Sequence, residues 1–128
     1  LIAKAKEIDF SLSIQEKCVL HTSRKSLERI LSNLLSNAVS YTKPGHKISV
    51  VLTTQHIKIE NECIPIAPEK LSHVFEPFYR PDFSRDRKDG GNGLGLYIVD
   101  TLSKALKLSY QFQAAENPPG MCFTLFLS

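Results

Sequence analysis

A glycine-rich segment directly before an apolar helix constrains this chain more than any other feature. Residues 90–95 contain four glycines, and the apolar pattern after them predicts a helix that ends near Leu106. Glycine lets the backbone adopt positive φ and approach a ligand closely. The first N–H groups of a helix have no partner within the helix, so they attract anions. The segment therefore predicts a phosphate-binding loop, with an ordinary loop or helix cap as the alternative.

An upstream helix carries a second polar cluster. Ser23 is a favourable N-cap, and the apolar spacing after it predicts a helix to about Tyr41. Asn33, Asn37 and Tyr41 recur at every fourth residue, which places them along one side of that helix. An Asn carbonyl oxygen suits Mg²⁺, and Tyr41 offers an aromatic wall to a base. The alternative is the polar edge of a buried helix, hydrogen-bonded to backbone or water.

The remaining pattern predicts a two-layer α/β sandwich of the α+β class. Consecutive strand pairs with short links favour a mixed, largely antiparallel sheet with about three helices on one face. The first strand alternates apolar and polar residues, so we expect it to be half-buried. The predicted strands cover residues 8–14, 18–20, 47–52, 56–60, 108–114 and 121–127, and a short helix covers residues 68–74.

Composition excludes several classes of protein. The net charge of +3 over 128 residues is mild and the basic residues are scattered, so we expect no nucleic-acid partner. No apolar run approaches the roughly 20 residues needed to cross a bilayer, so we expect no membrane contact by this domain. Three distant cysteines fit buried thiols better than a disulfide framework or a zinc site. Residues 81–90 are strongly charged and predict a mobile loop.

Neither of the familiar phosphate-binding motifs fits the glycine segment. The Lys-Ser/Thr pair of a P-loop is missing, and a charged loop stands where a strand would feed a dinucleotide fingerprint.

Four segments in order resemble the sequence boxes of sensor histidine kinases. Residues 28–38, followed by Tyr41-Thr42, resemble the N box, and residues 75–80 resemble the F box. Residues 91–96 resemble the G2 box, and residues 120–123 look like the terminal glycine box. The resemblance spans nearly the whole chain. It implies that residues 1–128 are one catalytic ATP-binding domain with the Bergerat fold shared by gyrase, Hsp90 and MutL.

The resemblance also implies roles for individual residues. Asn37 corresponds to the family's Mg²⁺ ligand, and Asn33 to a residue beside the metal and the phosphates, so these two are the expected catalytic residues. Tyr41 corresponds to a residue that packs near the adenine. The other residues expected to contact ATP lie in the G1, F and G2 boxes and the ATP lid: Asn61, Ile66, Phe75, Arg80, Lys88, Gly91, Asn92, Gly93, Leu94, Gly95 and Leu96.

The G1 box departs from the family. It usually reads Asp-x-Gly-x-Gly-Ile, whereas Asn61, Cys63 and Pro65 stand at the Asp and the two Gly positions. Asn61 can still accept a hydrogen bond from the adenine amino group, but without charge assistance. Pro65 fixes φ and removes a donor. We therefore expect weaker ATP binding than is usual in the family. A degenerate, non-catalytic nucleotide-binding or scaffolding domain is the alternative.

The resemblance implies phosphoryl transfer rather than hydrolysis. Asn33 stands where the ATP-hydrolysing relatives have a Glu, and an amide cannot take a proton from water. The implied acceptor is a histidine on a separate dimerisation domain of the same parent protein, with onward transfer to a response regulator Asp. The implied parent is a homodimeric integral membrane protein of a bacterium, with this domain in the cytoplasm. None of the four histidines lies in the context of a phosphoacceptor, so the chain alone should be inactive.

Overall fold

The computed structural model of the chain describes residues 7–15, 22–79 and 94–127. In this part of the chain five strands form one sheet, accompanied by three helices. This arrangement confirms the predicted α+β sandwich. The strands are β1 (Asp9–Ile14), β2 (Lys47–Leu52), β3 (His56–Glu62), β4 (Tyr110–Glu116) and β5 (Pro119–Phe126), and the helices are α1 (Arg24–Tyr41), α2 (Pro68–Leu71) and α3 (Gly95–Ala105).

The sheet is mixed, as predicted, with the strand order β1-β2-β3-β5-β4. The β1–β2 pair is parallel and its connection runs through α1, whereas the other three pairs are antiparallel. A tight turn joins β2 to β3, where the Thr53 hydroxyl oxygen accepts from the N–H groups of Gln55 and His56 at 3.1 and 3.2 Å. Because β5 lies beside β3, Gly120, the last glycine of the chain, sits next to residues 61–66, the G1 segment.

Helix α1 begins and ends at recognisable signals. The Ser23 hydroxyl accepts from the Ser26 N–H at 3.3 Å, which satisfies one of the unpaired donors of the first turn. At the other end the Thr42 N–H donates to the Ala38 carbonyl, and Pro44 and Gly45 follow, with Gly45 at φ +85°. These signals match the predicted bounds of the helix.

The core lies between the helices and one face of the sheet. In β3 the buried Ile57 and Ile59 alternate with more exposed polar residues, as expected for a strand covered on one side. Helices α1 and α3 pack beside each other over this face. Burying a side chain such as Ile30, which is fully buried, stabilises the fold by about 2 kcal/mol. The other large buried side chains of this cluster include Leu34, Ile48, Val99, Phe123 and Leu125.

The first strand is not half-buried as predicted, because β1 is exposed along its whole length. Phe10, Leu12 and Ile14 are 44%, 61% and 60% exposed. The parallel register puts them on the same sheet face as the core residues of β2. The helices of the described part leave this edge of the sheet uncovered. Alternation predicts a strand, but it does not predict whether another element reaches its apolar face.

Other differences concern element boundaries. Helix α2 ends at Leu71, three residues before the predicted end, and turns with φ +68° at Phe78 follow it. The last two strands begin and end two residues or less from their predicted limits. The predicted strand over residues 18–20 and the predicted loop over residues 81–90 lie outside the described residues.

Candidate nucleotide site

The polar residues of α1 lie on one flank of the helix, beside its buried stripe. Asn33, Asn37 and Tyr41 are each half-buried. The Asn33 Nδ2 donates to the Arg29 carbonyl at 2.9 Å, so its N–H has the backbone partner that the polar-edge interpretation expects. Its carbonyl oxygen is turned toward α3. This orientation makes Oδ1 of Asn33 the atom offered to anything bound between the two helices.

Gly95 brings the start of α3 against this polar flank. A Cβ added at Gly95 would lie 3.6 Å from Oδ1 of Asn33, which is ordinary van der Waals contact. The absence of a side chain at Gly95 therefore keeps the space in front of this oxygen open. The N-cap residue of α3, Leu94, makes no side-chain capping hydrogen bond. The N-terminus of a helix carries a dipole and N–H groups that favour an anion. Gly95, the last glycine of the predicted phosphate-binding loop, therefore lies beside the polar flank of α1.

Of the other predicted G2 and lid residues, two are described by the structure and the rest are not. Leu94 is half-buried, and Leu96 is buried in the core with 8% of the residue exposed. The remaining members lie outside the described residues: Arg80, Lys88, Gly91, Asn92 and Gly93.

A buried hydrogen-bond relay links the G1 segment to the end of α1. Asn61, near the end of β3, donates from Nδ2 to the Thr42 hydroxyl oxygen at 3.3 Å. The Thr42 hydroxyl in turn donates to the Ala38 carbonyl at 2.7 Å. Only 1% of Thr42 is exposed, so water does not compete for its bond to Ala38, whereas the bond from Asn61 is part-buried. The relay joins Asn61, in the G1 box that differs from the family pattern, to the helix that carries Asn33 and Asn37. Sequence reasoning did not predict this contact.

Strand β5 holds the G1 segment from the other side. A Cβ at Gly120 would lie 2.2 Å from the Asn61 carbonyl oxygen, which is closer than any side chain tolerates. The Cys63 N–H donates to the Pro119 carbonyl at 3.2 Å, and the Ile66 N–H donates to the Met121 sulfur at 3.4 Å. Gly120 is therefore required by the close approach of two backbones. Ile66, predicted to contact ATP, lies partly buried against the core.

The thiol at the centre of the G1 segment is neutral. Burial raises the pKa of Cys63, and a hydrogen bond with the Asn61 side chain opposes part of that rise. A protonated thiol adds no charge to the base end of the site.

The F box anchors the segment after α2 to the sheet. The Phe75 ring lies 4.9 Å from Tyr110 and 5.9 Å from Phe112, centroid to centroid. Such aromatic pairs stabilise beyond the area they bury. The structure thus places Phe75, a predicted ATP contact, in an aromatic cluster with two residues of β4. The alternation of Tyr110 and Phe112 along the strand was the signal that could have revealed this cluster.

Tyr110 also fixes α3. Its hydroxyl donates to Oδ1 of Asp100 at 2.6 Å, and Lys104 reaches the other carboxylate oxygen at 3.0 Å. Burial and the Asp100 carboxylate raise the pKa of Tyr110 well above its usual value. The phenol therefore remains a donor, and β4 holds the helix whose first residue faces Asn33.

The described part of the chain contains neither a cluster of metal-ligating side chains nor a membrane-spanning helix. In residues 7–15, 22–79 and 94–127, no three His, Cys, Asp or Glu side chains come together to hold a metal ion. Over the same ranges, no helix combines the length and apolar character required to span a membrane.

Comparisons with known proteins agree with the fold and the sequence boxes. Residues 22–128 match the family of histidine kinase-, DNA gyrase B-, and HSP90-like ATPases. The chain is 45% identical over 98 residues to the sensor histidine kinase CusS of Escherichia coli K12, covering 73% of this chain and 20% of CusS. It is 35% identical over 131 residues to the sensor histidine kinase RppB of Synechocystis, covering 98% of this chain and 29% of RppB.

A solved structure shows the same fold. The mycobacterial sensor histidine kinase MprB superposes with a TM-score of 0.81 at 24% identity, covering 98% of this chain and 87% of that one. The chain therefore belongs to the histidine kinase-, DNA gyrase B- and HSP90-like ATPase family, as an ATP-binding catalytic domain of the sensor histidine kinase type. It spans about a fifth to under a third of the length of the two curated relatives. The roles of the individual site residues stay predictions.

Proposed function

We propose that this domain binds ATP with Mg²⁺ between α1 and α3 and serves as the phosphoryl donor site of a two-component sensor kinase. One observation supports placing the nucleotide between these two helices. Oδ1 of Asn33 faces Gly95 at the start of α3, so an amide oxygen and a helix N-terminus converge on one space. Amide oxygens suit a hard cation, and helix N-termini suit phosphate, so the residues fit a magnesium-nucleotide complex.

Within that site each residue has a proposed task. Asn37 holds the metal through its amide oxygen, Asn33 orients the phosphates beside it, and Tyr41 packs near the adenine. Asn61 accepts from the adenine amino group. Bound Mg²⁺ neutralises phosphate charge. The family resemblance extends the site to Ile66, Phe75, Leu94, Gly95 and Leu96, and to residues outside the described part: Arg80, Lys88, Gly91, Asn92 and Gly93.

The chemistry proposed is transfer and not hydrolysis. Asn33 carries no group able to take a proton from water, and phosphoryl transfer depends mostly on positioning and electrostatics. The proposed acceptor is a histidine on the dimerisation domain of the same parent protein, which passes the phosphoryl group to a response regulator. The parent is proposed to be a homodimer anchored in the bacterial cell membrane, with this domain on the cytoplasmic side.

Two measurements test this proposal. A non-hydrolysable ATP analogue should raise the melting temperature of the chain by several degrees only when Mg²⁺ is present, because ligand binding to the native state stabilises it. The parent protein, with its dimerisation helices, should incorporate phosphate from ATP at a histidine. The isolated chain should release negligible free phosphate. Turnover by the isolated chain that is abolished in Asn37→Ala would contradict transfer as its task.

The second candidate is a degenerate domain that scaffolds a partner. The observation that favours it is the G1 segment, where Asn61, Cys63 and Pro65 replace the usual Asp and two glycines. A melting temperature that no nucleotide changes, with or without Mg²⁺, would establish this candidate in place of the first.

A further inference from the structure

The proton of the Thr42 hydroxyl has a fixed direction. Its oxygen lies 2.7 Å from the Ala38 carbonyl oxygen. Two oxygens at that distance require a hydrogen between them, and a carbonyl has none to give. The hydroxyl proton therefore lies on the line to Ala38. The Thr42 oxygen can then only accept from its other neighbour.

That neighbour is the side-chain amide of Asn61, 3.3 Å away. An amide can present either its NH₂ group or its carbonyl oxygen, and the two ends have nearly the same shape. Since Thr42 accepts, Asn61 must turn its NH₂ group toward Thr42. Its carbonyl oxygen then points away from the relay. The reversed amide would place its carbonyl oxygen against the buried oxygen of Thr42 with no hydrogen between them, which is unfavourable.

The direction of the amide matters because an Asn at this position could present either a donor or an acceptor to the base. The Asp usual at this position can only accept a hydrogen bond, whereas an Asn in isolation can accept or donate. A site that accepts selects a base with an amino group, and a site that donates selects a base with a carbonyl group. Sites built around a specific hydrogen bond reject analogues that leave their polar groups unpaired.

We propose that Thr42 is a positioning residue that sets the base specificity of this domain, by fixing Asn61 as an acceptor for the exocyclic amino group of adenine. This inference rests on the proposed function. It makes the domain selective for 6-aminopurine nucleotides over 6-oxopurine nucleotides despite the loss of the G1 carboxylate.

The matched variants are Thr42→Val, which keeps the shape and removes the hydroxyl, and Thr42→Ser, which keeps the hydroxyl. Calorimetry would measure dissociation constants of ADP and inosine diphosphate in the presence of Mg²⁺. We expect the wild-type chain and Thr42→Ser to prefer ADP by about tenfold, equivalent to about 1.4 kcal/mol. In Thr42→Val the preference should fall toward unity, because the Cys63 thiol, which also bonds Asn61, can donate or accept and so does not fix the direction of the amide. In an Asn61→Asp background, Thr42→Val should leave the preference for ADP in place, since a carboxylate only accepts.

The outcomes separate the two proposals. A wild-type chain that binds neither diphosphate overturns the proposed function and the inference with it. Binding of ADP with an unchanged preference in Thr42→Val overturns the inference alone, as does equal affinity for the two diphosphates in the wild type.

Hydrogen exchange of the Asn61 side-chain amide tests the inference without nucleotide, and it can be measured even if Thr42→Val does not fold. The side-chain ¹⁵N–¹H₂ signals of Asn61 in the wild-type chain can be assigned by their loss in Asn61→Asp. The inference requires one of these two N–H protons to be protected from exchange with solvent. Free exchange of both would overturn it.

Discussion

At the phosphate end of the candidate site, Asn33 and Gly95 meet because two helices lie side by side. At the base end, Asn61 is positioned by a buried hydroxyl on one side and by the backbone of β5 on the other. By its resemblance to the family, the phosphate end is predicted to keep the usual residue types, whereas at the base end Asn61, Cys63 and Pro65 stand where an Asp and two glycines are expected. At the phosphate end, the position of each side chain depends on its spacing along a helix, so function depends on the identity of each residue. At the base end, strand pairing and hydrogen bonds hold the backbone in place, so individual residues can differ if those contacts remain.

The largest effect is expected from Gly120→Ala, which would break the base end. Its Cβ would lie 2.2 Å from the Asn61 carbonyl oxygen, so β3 and β5 would have to separate. We expect the free energy of unfolding to fall by about 3 kcal/mol, measured by chemical denaturation. Gly45→Ala is the matched control, because that glycine has φ +85° but no neighbour within 4 Å. It should lose only about 1 kcal/mol. Equal losses in the two variants would show that the close approach is not limiting.

Asn37→Ala tests the phosphate end. Removing the amide oxygen should weaken Mg²⁺-dependent binding of an ATP analogue roughly 10- to 100-fold, the range for one hydrogen bond or ligand to a charged group. The melting temperature without ligand should change little, because Asn37 is only half-buried. Asn117→Ala makes the same chemical change in the exposed β4–β5 turn and should leave binding unaltered. Undiminished binding in Asn37→Ala would remove this residue from the site.

Asn61→Asp should sharpen the contrast by restoring the carboxylate at the base end. A charge-assisted hydrogen bond is stronger than a neutral one by about 1 kcal/mol. Because the carboxylate would also face the Thr42 oxygen, whose proton is directed to Ala38, the full rise in ADP affinity of about fivefold in calorimetry is expected only when Asn61→Asp is combined with Thr42→Val. Glu60→Gln, an exposed change on the same strand, serves as the control and should leave affinity unchanged. An ADP affinity that does not rise in the double variant would mean that a carboxylate at this position does not contact the adenine amino group.

Ser103→Ala should have the smallest effect. The Ser103 hydroxyl oxygen is buried in α3 and has no hydrogen-bond partner among the described residues. Removing an unsatisfied group is neutral or stabilising, so we expect a change of less than about 1 kcal/mol, in the stabilising direction, with nucleotide binding unaltered. A clear destabilisation in thermal melts would reveal a partner for this hydroxyl, such as a bound water.

The difference between the two ends also explains what the sequence could predict. Residues on one helix have a fixed geometry, so the spacing of Asn33 and Asn37 was enough to place both on one flank. The N-cap at Ser23 and the stop at Pro44 likewise gave the bounds of α1 correctly. Local rules of this kind need no knowledge of the rest of the fold.

Contacts between distant segments were beyond that reasoning. Thr42 and Asn61 are 19 residues apart, and their hydrogen bond depends on β3 returning beside the end of α1. The exposure of Phe10 and Leu12 depends on which elements reach the edge of the sheet, and alternation along β1 contains no information about this. The collision at Gly120 similarly depends on the register of β3 with β5.

The link between Tyr110 and Asp100 has a consequence for alkaline conditions. Because the pKa of the folded phenol is raised above its ordinary value of about 10, the stabilisation from this link is fully present below that value. It is lost only as the pH climbs beyond it, when an ionised phenolate would repel the neighbouring carboxylate. The hydrogen bond that ties α3 to β4 therefore does not lose its donor by ionisation between neutral and mildly basic pH.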